Sequence, residues 1–254
     1  MVLRTGNSIL AAVLIYFLSL AQCSDIESPE SIEIPDMDFL NLLIENGFDK
    51  NGDGKIDLRE AEETASLEIR SSGISNLSGL EYFTNLDSLL ISFNPLEDFD
   101  ISANASLRHL EIIACDLSAL DLSKNGNLEV IICENNHIEK LLLPGGNNLK
   151  ILQCGYNHLK NIDVSMNPGL ITFTCNNNWI DSLDIGSNIA LEKLITCGNM
   201  LTFLDISSNQ NLRIAGIDNM PMLKKVCVWT LPFPPEGLNM LMDFSPNVEF
   251  VVNC

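Results

Sequence analysis

The chain is poor in positive charge: its 254 residues hold 14 Lys and Arg against 34 Asp and Glu, a formal net charge of −20. A body this acidic repels phosphate backbones, which argues against nucleic-acid binding. Aromatic residues make up only 6% of the chain and there are three histidines. No Gly-x-Ser-x-Gly elbow, phosphate-binding loop or His-Glu-x-x-His pair occurs, so the chain is not read as an enzyme. Past the first residues no apolar run is long enough to span a bilayer.

The first residues are the exception. Arg4 precedes an apolar stretch from Ile9 to Leu20, and Ser19-Leu20-Ala21 offers a small-residue cleavage site before Gln22. Residues 1–21 read as a secretory signal peptide, too short in its apolar part for a comfortable transmembrane span. The mature chain is then extracytoplasmic. Residues 22–35, polar and acidic with Pro29 and Pro35, read as a linker.

What the chain has in abundance is a period. Leu86, Leu107, Leu128, Leu149, Leu170, Leu191 and Leu212 recur every 21 residues. Each copy approximates Leu-x-x-Leu-x-(Ile/Cys)-x-x-Asn-x-Leu-x-x-Leu-Asp-Leu-Ser-x-Asn-x-x. Asn94, Asn136, Asn157, Asn178 and Asn199 hold the ninth place, and Cys115 replaces it once. This is the leucine-rich-repeat signature. It predicts a solenoid of α/β-repeat type, with a curved parallel sheet on its concave side. The ninth-place asparagines should bond backbone groups from coil to coil, because buried backbone groups left unpaired are costly. We place the solenoid at residues 67–226 and a C-terminal cap at 227–254. The cap contains Pro232, Pro234, Pro235 and Pro246, and Val248 to Val252 could form a last strand.

Eight cysteines in an exported chain suggest disulfides. Yet Cys133, Cys154 and Cys175 all fall at the sixth repeat position, where stacked strands point their side chains the same way about 4.8 Å apart. That is poor disulfide geometry, and reduced, buried, Leu-like thiols are expected. Cys227 and Cys254 bracket the non-repetitive tail and are the candidate capping disulfide.

Residues 36–66 read as a small helical cap. Asp36 is a good helix N-cap, Phe39, Leu40, Leu43 and Ile44 form a stripe, and Gly47 ends the helix. A second helix is expected from Leu58 to about Ser66. Between them, Asp49-Lys-Asn51-Gly-Asp53-Gly54-Lys55-Ile56-Asp57-Leu-Arg-Glu60 fits the EF-hand loop. Asp49, Asn51 and Asp53 supply side-chain oxygens, Lys55 its carbonyl, Asp57 a direct or water-mediated contact, and Glu60 a bidentate carboxylate. Hard oxygen ligands of this kind select Ca²⁺. With no second hand, a structural site is expected.

Two further rows invite metal readings. Asp100, Asp121, Asp163, Asp184 and Asp205 could form a calcium spine; a row of turn-capping carboxylates is the plainer reading and the one adopted. His137 and His158, preceded by Asp116 and followed by Trp179, could share zinc, but a solvated turn row is again preferred.

The partner surface is read from outward positions that are apolar where polar residues are expected: Leu90, Phe93, Ile113, Val130, Ile132, Ile151, Tyr156 and Ile195. Period-two alternation places them on one side, rimmed by Glu111, Glu134 and Gln153. A contiguous exposed apolar patch marks a partner site for a protein or a glycan.

Taken together, the calcium loop, Leu67-Glu-Ile69, Gly73-Ile74-Ser-Asn-Leu77-Ser-Gly79-Leu80-Glu81-Tyr82 and the coils that follow resemble secreted or surface leucine-rich-repeat proteins of the Bacteroidetes, related in style to internalins. The resemblance covers about Pro35 to Val228 and implies a monomeric module that recognises proteins or surface polymers. Leu20-Ala21-Gln22-Cys23 also resembles a lipoprotein box, and Ser24-Asp25-Ile26-Glu27 the acidic tails of surface lipoproteins. Gln22 departs from the small residue usual there. Acylation of Cys23 and simple secretion both remain open, as does a purely structural envelope lipoprotein.

Overall fold

The computed structural model describes residues 30–245, 248–252 and 254. The signal-peptide segment, Cys23 and most of the linker lie outside the described residues. Ser31–Cys254 pack as one unit.

The cap forms where its local signals place it. Helix α1 spans Met37–Glu45, and the Asp36 side chain accepts bonds from the backbone N–H groups of Asp38 and Phe39. Phe39 and Leu43 are buried. The other Asp36 oxygen accepts from the N–H groups of Ser75 and Asn76, both at 3.1 Å, fastening the cap to the first coil. Burial pushes this carboxyl up, but the four backbone donors outweigh it and hold it below the usual range. Helix α2 is shorter than the sequence suggests, Leu58–Glu62. Ser66–Arg70 is strand β1, with Leu67 and Ile69 buried and their neighbours exposed. Period two wins there because pairing with the next strand buries both side chains and satisfies the backbone.

The strands follow the repeat. β2 is Ser88–Ser92 and β3 is His109–Ile113. On the opposite side of the coils lies β4, Ala119–Asp121. Then come β5 Val130–Ile132, β6 Lys140–Leu142, β7 Ile151–Gln153 and β8 Thr172–Thr174. β9 is Lys193–Ile195, β10 Phe203–Asp205, β11 Ile214–Gly216 and β12 Lys225–Cys227. β13 is Asn239–Leu241 and β14 Glu249–Val251.

The main sheet has nine parallel strands in the order β1-β2-β3-β5-β7-β8-β9-β11-β13. From β2 to β11 the register advances by one repeat per strand, so Leu89, Leu110, Ile131, Leu152, Phe173, Leu194 and Ala215 stack in one buried row. The parallel pairing continues past residue 226: β13 joins β11, and β14 joins β10 and β12 in a second sheet. The prolines at 232, 234 and 235 do not prevent this, since they lie in the segment between β12 and β13, where no ladder donor is required. Cys227 and Cys254 are joined by a disulfide.

Two asparagine rows hold the coils together. Asn157 is typical of the ninth-place row: its amide donates to the carbonyls of Cys133, Cys154 and Gly155, and its oxygen accepts from Ile138 N–H. At Cys115 the missing amide is partly replaced by the thiol, which donates to the Ile113 carbonyl at 3.3 Å, the counterpart of the Asn157 bond to Gly155. A second row, Asn104, Asn125, Asn167, Asn188 and Asn209, is also buried. Each donates to carbonyls of the preceding coil, as Asn188 does to Val164 and Asn167. The consensus contains this asparagine, but its spacing alone did not distinguish a buried strut from a turn residue.

Cys133, Cys154 and Cys175 are reduced and fully buried, continuing the row begun by Ile91 and Ile112 and ended by Thr196. The aspartate row caps its own turns: Asp100, Asp121, Asp163, Asp184 and Asp205 each accept from the N–H two residues on, at 2.8–2.9 Å.

Candidate functional site: a hollow on the concave edge

Directly after each strand the chain must turn into the left-handed region. At the eighth repeat position φ is positive in Phe93, Ala114, Asn135, Tyr156, Asn177, Gly198 and Asn219. Asn and Gly tolerate this conformation, whereas bulky side chains rarely adopt it. Phe93 and Tyr156 do adopt it, with φ of 56° and 55°, and they stand 65% and 54% exposed. These two aromatics are held in strained backbone at the rim of the sheet, and such strain tends to gather at functional positions.

The outward patch differs from the sequence reading. Phe93 and Tyr156 lie outside the strands, so period-two alternation does not place them. Leu90, Ile113, Val130, Ile132, Ile151 and Ile195 are half-buried rather than exposed. The paired row runs Leu90, Glu111, Ile132, Gln153, Thr174, Ile195, so polar side chains interrupt the apolar ones along it. This row is an amphipathic strip, while beside it Val130 and Ile151 are partners on adjacent strands, so the contiguous apolar surface is the smaller group Val130, Ile132 and Ile151.

Four of the expected residues converge. Glu134, Gln153, Tyr156 and Ile195, with Thr174, Asn176, Asn177, Lys193 and Cys197, line a hollow of about 380 Å³. Leu90, Phe93, Glu111, Ile113, Val130, Ile132 and Ile151 lie elsewhere on the face and do not line it. Sequence reasoning missed Thr174, Asn176, Asn177, Lys193 and Cys197. The available signal was glycine at rim positions filled in other coils: Gly155 aligns with Glu134 and Asn176, and Gly198 with Tyr156 and Asn177.

The calcium loop has its own geometry. Gly52 and Gly54 turn it, with φ of 75° and 80°, and Ile56 is buried beneath. Glu60 reaches back into the loop: one oxygen accepts from the N–H groups of Lys50 and Asn51 at 2.8 and 3.1 Å, the other from Asp57 N–H at 2.9 Å. Asp49 accepts from the N–H groups of Gly52, Asp53 and Gly54. The donor set is all oxygen and the spacing suits calcium, but the carboxylates are shared among backbone donors. Among the described residues no group of three or more His, Cys, Asp or Glu is gathered closely enough to hold a metal ion.

His137, His158 and Trp179 stack with centroids 5.3 and 4.5 Å apart and interplanar angles of 23° and 11°. Near-parallel rings direct their nitrogens alongside one another rather than toward a shared ion. His137 Nε2 instead lies 3.6 Å from Asp116 Oδ1.

Solved structures match this architecture. An internalin (inlF) from Listeria monocytogenes superposes with a TM-score of 0.61 at 18% identity, over 89% of this chain and 74% of that one. The fold is a leucine-rich-repeat solenoid. YopM from Yersinia enterocolitica gives 0.58 at 22% identity, over 94% of this chain and 54% of its own. The functional domain of InlJ from Listeria monocytogenes, described as including a cysteine ladder, gives 0.50 at 19% identity over 86% of this chain. The chain spans 63% of that domain. No protein-family model matches the chain, and no curated protein does. Among the described residues no helix is long and apolar enough to cross a membrane.

The strain at the rim is measurable. Tyr156→Asn, which installs the residue that coils 135 and 177 already use, should stabilise the protein by about 1 kcal/mol. For a chain of this size that is roughly 2–4 °C in melting temperature. A melting temperature that falls instead means that Tyr156 packing outweighs its backbone cost.

Proposed function

We propose that this protein is an extracytoplasmic recognition module that binds a protein or surface polymer through the concave edge of its solenoid. The observation that carries the reading is the rim itself: exposed aromatics kept in unfavourable backbone beside a polar hollow, on a fold otherwise regular in its solutions. Export follows from the leader read in residues 1–21, and Cys23 remains the candidate lipid anchor.

Calcium belongs to the same reading as a stabiliser of the N-terminal cap. Asp49, Asn51, Asp53, the Lys55 carbonyl, Asp57 and Glu60 would hold it, and the ion would supply charge neutralisation for a strongly acidic loop. An ion bound only by the folded state adds about 2.7 kcal/mol at one hundred times its dissociation constant.

The test is one capture experiment on arrays of surface proteins and glycans, with calcium and with chelator. Ile132→Asp places a charge in the middle of the strip and should weaken capture at least tenfold, with folding checked by circular dichroism. Undiminished capture by a folded Ile132→Asp protein places the partner site elsewhere. Melting curves of the same samples test the ion: calcium should raise the transition in the natural protein and leave Glu60→Gln unmoved, and identical curves in calcium and chelator remove calcium from the account.

A further inference from the structure

Two glycines set where the amides that line the hollow lie. Gly155 has no left-handed φ, so its backbone does not demand glycine. A Cβ there would come within 2.7 Å of the Asn176 side-chain oxygen, so the Asn176 amide lies across the space that a larger residue would fill. At Gly198 a Cβ would meet the Asn177 oxygen at 2.6 Å. Each glycine therefore makes room for an amide from the neighbouring coil.

The groups around the hollow are mostly neutral and polar. Gln153 and Asn176 each offer an amide that both donates and accepts. Thr174 is buried on the sheet, and among the described residues its hydroxyl has no hydrogen-bond partner. Glu134 and Lys193 contribute one charge of each sign. Burial pushes the Glu134 carboxyl up and Lys193 draws it back only in part. Tyr156 presents a half-exposed ring at the rim. The volume of about 380 Å³ falls near the lower end of small-molecule sites, about 300–1,000 Å³.

A ligand that fits must offer many hydroxyls acting as both donor and acceptor, one apolar face for the ring, and no net negative charge against a body of −20. Peptide side chains meet the first condition poorly. Anionic sugars fail the last. We infer that the hollow formed by Glu134, Gln153, Tyr156, Thr174, Asn176 and Lys193 binds a single neutral saccharide unit, a hexose or N-acetylhexosamine, with Tyr156 against its apolar face. This rests on the proposed concave-edge recognition and narrows its ligand to a glycan.

Methyl glycosides of neutral hexoses and N-acetylhexosamines, titrated into the full chain and followed by ligand-observed NMR, test it directly. At least one should bind saturably. Tyr156→Ala should weaken it tenfold or more. Gly155→Ala should weaken it comparably while keeping the fold, since the new methyl meets only the end of a movable side chain. The inference is overturned if no neutral glycoside saturates, if only carboxylated or sulfated sugars bind, or if both variants bind like the natural protein. Failure here with Ile132→Asp still abolishing protein capture leaves the concave-edge reading standing. Saturable glycoside binding with capture unaffected by Ile132→Asp upholds the saccharide site and removes only the strip around Ile132 from the partner surface.

Discussion

Raising the pH above about 9 should destabilise this protein steeply, and three thiols should be responsible. Cys133, Cys154 and Cys175 are fully buried in one stacked row. Burial pushes the Cys133 thiol from its ordinary value of 9.0 up to about 12. Cys154 is raised well above that same value, by burial first and then by the neighbouring thiols on either side. Cys175 is likewise raised by burial and then by Cys197. The folded values lie above the unfolded ones, so between them the unfolded chain has lost protons that the folded chain keeps. Stability is therefore full below about pH 9 and falls as pH rises. Each thiol contributes a slope of about 1.4 kcal/mol per pH unit, so three give roughly 4 kcal/mol per unit. Urea unfolding at successive pH values, compared with the triple Cys→Ala protein, separates this from lysine and tyrosine titration. The triple variant should start less stable, because it carries cavities, yet lose stability more gently with pH. Parallel slopes in the two proteins would show that the ladder does not govern alkaline unfolding.

The sequence shows the ladder because a repeat converts position into place. A period of 21 with register advancing by one repeat per strand makes every sixth residue a neighbour of the next sixth residue, whatever its identity. The same logic made the ninth-place asparagines and the aspartate row legible. It stops where the side-chain direction ceases to follow the strand. Phe93 and Tyr156 sit at the eighth repeat position, out of step with the third, fifth and seventh positions that alternation joins, so counting by two never reaches them; the left-handed turn after each strand is what leaves them exposed at the rim. The hollow was harder still, since the amides of Asn176 and Asn177 that line it lie where they do because Gly155 and Gly198 leave them room, and that acquires meaning only when the neighbouring coil is laid beside it. At the C-terminal end the prolines suggested an end to the sheet. They sit in a connecting segment, and the unpaired edge of β11 is covered by β13 regardless, which is the usual need of an open stack.

Asn157→Ala should be among the most destabilising single substitutions in the chain. The side chain is buried and makes four bonds at 2.8–3.2 Å, two within its own coil and two to the coil before it. Alanine leaves the Cys133 carbonyl and the Ile138 N–H without this partner, and the cavity is too confined by the Cys133–Cys154 row for easy collapse. Each buried orphan costs about 1–3 kcal/mol, so a loss of roughly 3–5 kcal/mol is expected. Asn157→Asp should be nearly as harmful despite its shape, because a carboxylate cannot donate to three carbonyls and would bring a charge into the core. Asp121→Ala serves as the contrast: that side chain also caps a backbone N–H, but on an exposed turn where water replaces it, so the loss should be far smaller. Because each coil contacts only its neighbours, damage at Asn157 should also divide the array, giving a broader transition than damage at either end. Equal unfolding midpoints for Asn157→Ala and Asp121→Ala would mean that the asparagine row follows the fold rather than supporting it.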